Sequence, residues 1–182
     1  MILITGMPRA GTTFLLRQFA AHGSPYFVDM HYPEKKYIQN EPAIFSKGIS
    51  EDLVSGYEAY WWNKHPGKEI VVKHHGFRAH KHSSSWFSSV IVCVRQVDSW
   101  LKSASEHPVT PQQAKAAGLP LLEYGNVIYS ASKAYYEAAT EKKAVLFDFN
   151  DPDKAFQKIN ARYGLDYEDL VRDWRGSRHE GA

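Results

Sequence analysis

Cysteine is almost missing from this chain. The single one, Cys93, sits inside the apolar run "VIVCV". No internal disulfide can form, and the expectation is a buried, inert thiol in a reducing compartment. An excess of one charge sign is also missing. Lysine and arginine total 22 against 20 aspartates and glutamates, a net charge of +2, too small to imply a nucleic-acid or membrane partner. No apolar stretch approaches the roughly 20 residues a membrane span requires. The opening "MILIT" is too short for a secretory apolar core and runs straight into a glycine loop. These absences point to a soluble, cytoplasmic protein. The nine histidines are scattered without metal-finger spacing, and no metal is expected. Internal repeats and low-complexity tracts are lacking as well.

What is present is an alternation of short apolar blocks with helical patterns. At 182 residues the chain reads as one domain, 1–182, long enough for a single core. "MILIT", "PYFVDM", "KEIVVKHH", "SSVIVCVR" and "AVLFDF" read as strands. Helices are expected from Thr12, with Phe14, Leu15, Phe19 and Ala20 at helical spacing and Gly23 as a stop. Others follow from Ser50, over "VDSWLKSASEH", over "LLEYGNVIYSASKAYYEAATEKK", and after Asp151 with Pro152 in the first helical position. Residues 31–48, broken by Pro33 and Pro42, and 106–120, with Pro108, Pro111, Gly118 and Pro120, read as mobile loops. The tail "WRGSRHEGA" is polar. The pattern predicts an α/β fold: a parallel sheet of the P-loop type with helices on both faces, three layers in all. Ligands of such sheets bind at the carboxyl ends of the strands. The glycine loop, "KHH" and Arg95 all fall there.

The loop "GMPRAGTT" has Gly6 and Gly11 at the spacing of a Walker A motif, G-x-x-x-x-G. Thr12 and Thr13 stand where that motif requires Lys and Ser/Thr. Backbone amides at a helix N-terminus bind phosphate or sulfate unaided, so the loop fits a phosphorylated ligand. Without the lysine it is poorly built for ATP hydrolysis. Arg9 offers instead a fork that can bind an oxyanion in a bidentate way.

The string P-R-A-G-T-T after a strand resembles the 5′-phosphosulfate loop of the sulfotransferases that use 3′-phosphoadenosine 5′-phosphosulfate (PAPS). There proline, a basic residue, a small residue and G-T-T recur, and arginine in the basic slot is a form seen in the tyrosylprotein branch. The resemblance implies cofactor contacts from Gly6, Arg9, Ala10, Gly11, Thr12 and Thr13, with Phe14 stacking on adenine. A second element agrees with it. The family holds the cofactor's 3′-phosphate with an arginine ending a strand and a serine eight residues later, matched here by Arg95 and Ser103. Cytosolic members also carry Lys-x-His at a strand end, matched by Lys73-His74-His75. By resemblance His75 is the general base, Lys73 contacts the transferring sulfuryl group, and Arg9 neutralises the leaving phosphate. Glu34, or Glu41 near His31, competes for the role of base. Phe149 is a candidate adenine contact, and Arg175 or Arg178 a candidate for the family's basic C-terminal loop. The family's usual Tyr-Glu-Asp-Leu after the last strand is missing.

The implied activity is in-line transfer of a sulfuryl group from PAPS to a hydroxyl or amine of a small-molecule, glycan or peptide acceptor. The aromatic stretch "YEAYWWN" is a possible acceptor surface or simply core. Two alternatives stay open. A divergent P-loop small-molecule or nucleotide kinase would need an acidic Mg²⁺ ligand at a neighbouring strand end. A catalytically silent nucleotide-binding protein would bind cofactor without transfer.

Overall fold

The computed structural model describes residues 2–22, 27–29, 71–73, 87–139 and 144–179. Strand β1 (Ile2–Gly6) is buried along its whole length, as are β3 (Val71–Lys73) and β4 (Ser89–Val94). A strand buried on both faces must be covered by helices on both faces, and such strands read as continuous apolar runs. With β2 (Phe27–Asp29) and β5 (Val145–Asp148) they form one parallel sheet in the order β2-β3-β1-β4-β5. The register sets Ile4 beside Lys73 on one side and beside Ile91 on the other, and Gly6 beside Cys93. Cys93 in turn lies beside Phe147.

Helix α1 (Thr12–His22) packs on β1, β2 and β3. Its buried Thr12, Leu15, Leu16 and Phe19 repeat at the three- and four-residue spacing of one helical face. Helices α2 (Val97–Ser105), α3 (Thr110–Ala116) and α4 (Leu121–Ala138) connect β4 to β5. That connection crosses the sheet in the opposite direction to β1-α1-β2, so a right-handed crossover puts α4 on the opposite face. Helices α5 (Asp153–Tyr163) and α6 (Tyr167–His179) return to the face of α1, where Phe14 of α1 meets Phe156 of α5 and Trp174 of α6. Each aliphatic side chain fully buried between these layers contributes about 1.5–3 kcal/mol. The chain leaves β1 toward β2 on one side and toward β4 and β5 on the other. The carboxyl end of β1 is therefore the switch point where such sheets open a crevice.

Three local expectations differ from what is found. Residues 106–120 contain helix α3, which begins on Thr110 with a proline in its first turn. Proline is tolerated there because the first amides have no helical acceptor. The polar tail continues α6 as far as His179, because Leu170 and Trp174 are both buried and four residues apart. At α5 the helix starts at Asp153, and Pro152 holds the cap position without a side-chain cap bond. Among the described residues, no helix is long and apolar enough to cross a membrane. The expected loop at 31–48, the helix from Ser50 and the stretch "YEAYWWN" lie outside the described residues.

Candidate functional site

The loop after β1 is shaped by contacts on every side. Gly6 has φ +114°, and a Cβ there would lie 2.1 Å from the Cys93 carbonyl oxygen. Only glycine lets the two central strands approach so closely. The Met7 amide then donates to that same carbonyl at 2.9 Å. One residue on, the indole Nε1 of the fully buried Trp100 donates to the Pro8 carbonyl at 2.8 Å. Arg9 has φ 63°, left-handed backbone that costs an L-residue about 1–2 kcal/mol. Gly11, at φ +92°, lies so close to the Phe147 ring that a Cβ would stand 2.7 Å from it. The first bond of α1 runs from the Leu15 amide to the Gly11 carbonyl at 3.0 Å. The amides of Thr12, Thr13 and Phe14 precede it, in the first turn at the positive end of the helix. This is the geometry of an anion cradle.

Arg95, Arg9 and Ser103 meet on the flank of that cradle. Arg95 follows β4 directly, and Ser103 lies on α2. The Arg95 Nη1 donates to the Arg9 carbonyl at 3.3 Å, and the Arg9 Nε donates to Ser103 Oγ at 3.0 Å. One loop residue thus joins the strand-end arginine to the helix serine, with two guanidinium groups at the mouth of the loop. The Arg95 guanidinium also lies 4.0 Å from the centre of the Phe149 ring, close enough for cation–π attraction. Its Nε donates to Ser99 Oγ at 3.2 Å. Asn150, just past β5, accepts from the Gln96 amide at 3.1 Å and bonds Ser99 through its amide nitrogen at 3.1 Å.

An aromatic cluster backs the cradle. Trp174 contacts Phe14 edge-on at 4.9 Å between centroids, Phe147 at 5.4 Å and Phe149 at 4.7 Å. Phe14 and Phe149 are only half-buried, whereas Trp174 is 5% exposed. Trp174 therefore works as a strut, and the two phenylalanines carry the accessible ring surface.

Lys73 is 1% exposed, with its side chain among the largest fully buried ones. Its charge acts on Cys93, whose thiol burial pushes well above its ordinary range while Lys73 pulls the other way. A thiol held protonated is a poor nucleophile, in line with an inert Cys93.

Of the residues expected to contact cofactor, Gly6, Arg9, Ala10, Gly11, Thr12, Thr13 and Phe14 lie on the loop and the first turn of α1. Arg95 and Ser103 join them through Arg9. Lys73 lies at the end of β3, buried. Arg175 is exposed on α6, so it belongs to a helix and not to a loop. His31, Glu34, Glu41, His74 and His75 lie outside the described residues, as does the side chain of Arg178. Ser99 and Asn150 were missed. The signal was available in "DFN": the Asn150 amide donates to Asp148 Oδ1 at 2.9 Å, an Asx turn that aims Asn150 back at α2. Among the described residues, no group of three histidine, cysteine or acidic side chains could hold a metal ion.

No known family's sequence profile matches the chain, and no curated protein matches it. Among solved structures, a shikimate kinase from Acinetobacter baumannii in complex with shikimate is similar at 19% identity and a TM-score of 0.35. The match covers 72% of this chain and 78% of that one. A likeness at this level carries no argument about ligand or reaction.

Proposed function

We propose that this chain is a group transferase of the α/β P-loop kind that moves a sulfuryl group from PAPS to a hydroxyl or amine. The observation supporting it is the junction at Arg9, which bonds Ser103 through its side chain and Arg95 through its carbonyl. A ligand with one phosphate on the α1 amides and a second beside Arg95 and Ser103 would use both halves. A nucleoside triphosphate with magnesium would leave the second half idle. PAPS, when bound, would supply the sulfuryl group, its bond to the 5′-phosphate oxygen breaking as the acceptor oxygen or nitrogen bonds to sulfur.

Arg9 and the amides of Gly11 to Thr13 stabilise charge developing on the 5′-phosphate. Arg95 and Ser103 hold the 3′-phosphate and so fix the ligand for in-line transfer. Lys73 adds positive potential at the end of β3, beside β1. His75, two residues beyond Lys73, takes the acceptor proton as a neutral imidazole, with Glu34 the competing base.

A second reading, a divergent P-loop kinase, draws support from Asp29, the last residue of β2, whose register partner is Lys73. It is an acid at a strand end, where a Mg²⁺ ligand would be wanted. Calorimetric titration of 3′-phosphoadenosine 5′-phosphate (PAP) and of Mg·ATP into wild type and Arg95→Ala separates the two. The sulfotransferase reading expects tight PAP binding, weak ATP binding and a loss of about 2–4 kcal/mol in the variant, the scale of removing one charge partner of a bound phosphate. Magnesium-dependent ATP binding without PAP binding would replace it with the kinase reading.

A further inference from the structure

The last strand and the arginine site are wired together by side chains that no part of the proposed chemistry uses. Ser99 Oγ has one hydrogen to donate and two lone pairs. Its hydrogen is shared between the Gln96 carbonyl at 3.0 Å and Asn150 Oδ1 at 3.2 Å, and its lone pairs accept from Arg95 Nε at 3.2 Å and Asn150 Nδ2 at 3.1 Å. Asn150 Oδ1 also accepts from the Gln96 amide at 3.1 Å. The hydroxyl is thereby fully engaged and cannot rotate away from Arg95 without breaking a bond. Phe149, next to Asn150 in the chain, floors the guanidinium at 4.0 Å. Its own amide is tied to the Val94 carbonyl at 2.9 Å, one residue before Arg95. The loop after β5 therefore sets both the plane of the Arg95 guanidinium, through Phe149, and its rotation, through Asn150 and Ser99.

We infer that Asn150 is a positioning residue that makes the site selective for ligands bearing a second, separate phosphate, by locking Arg95 through Ser99. This rests on the reading in which Arg95 receives that phosphate. The hydrogen bonds of Asn150 run to Gln96, Ser99 and Asp148 and, among the described residues, not to the Gly6–Thr13 loop, so its loss should weaken the second-phosphate subsite and spare the first. A general structural role would weaken both alike.

The test is calorimetric titration of the full chain with PAP and with adenosine 5′-phosphate, which lacks the 3′-phosphate. Wild type is compared with Asn150→Ala and Ser99→Ala, the second variant removing the same lock from its other end should the first fold poorly. The expected result is a roughly ten-fold loss of PAP affinity, the scale of one hydrogen bond to a charged group, with less than about a two-fold change for adenosine 5′-phosphate. Equal losses for both ligands, or none for either, in a wild type that prefers PAP would overturn the inference alone. A wild type with no preference for PAP would remove the sulfotransferase reading and the inference with it.

Discussion

Replacing Gly6 by alanine tests the geometry on which the cradle depends. The added Cβ would fall 2.1 Å from the Cys93 oxygen, 2.7 Å from its nitrogen and 2.9 Å from its carbonyl carbon. All three atoms belong to the backbone of the neighbouring central strand, so no flexible side chain can yield. Backbone at φ +114° costs a non-glycine residue about 1–3 kcal/mol. Relief of the clash requires β1 and β4 to separate. That sacrifices the Met7–Cys93 bond, worth about 1 kcal/mol net, and loosens packing among Ile4, Ile91 and Cys93, for about 1–3 kcal/mol more. The sum is about 3–7 kcal/mol, a large part of the roughly 5–15 kcal/mol that holds a domain together. Urea unfolding followed by tryptophan fluorescence, with Trp100 and Trp174 buried on opposite sides of the loop's supports, measures it. A cost below about 1 kcal/mol with anion binding intact would refute the argument.

Arg9→Gly removes left-handed strain but adds unfolded-state entropy, so stability should stay within about 1 kcal/mol of wild type while PAP affinity falls; an unchanged affinity by calorimetry contradicts the role given to Arg9. The raised Cys93 pKa means the folded state keeps a proton that the unfolded state loses above its ordinary 9.0. The stabilisation is full below that pH and declines by about 1.4 kcal/mol per pH unit above it. The difference between wild type and Cys93→Ala in urea unfolding should therefore shrink from pH 9 to 10, and a constant difference counts against it. Gly176→Ala, in a helix with nothing within 4 Å of the new Cβ, should stabilise by about 0.5–1 kcal/mol; a loss of stability in the same assay argues against a continuous α6.

The strands were readable because β1, β4 and β5 are short apolar blocks ended by glycine, arginine and aspartate. The pairing of Arg95 with Ser103 was readable from spacing on a strand and its following helix. That Arg9 would be the piece joining them was not, since the bond spans 94 residues of sequence and needs Arg9 in a backbone conformation that its side chain disfavours. Helix α3 was obscured by prolines that punctuate its ends without entering its interior. Trp174 was hidden among Arg172, Arg175 and Gly176, which mark the exposed side of the helix that buries it. Asn150 reaches α2 only because β5 lies next to β4, a fact of topology and not of local pattern.

The most direct measurement is a crystal structure of the protein with PAP. The account predicts the 5′-phosphate on the amides of Gly11 to Thr13. It predicts the 3′-phosphate within hydrogen-bonding distance of Arg95 and Ser103, and Arg9 turned from Ser103 toward the ligand. Phosphates bound away from Arg95, or a crevice that takes only Mg·ATP with Asp29 on the metal, would contradict it.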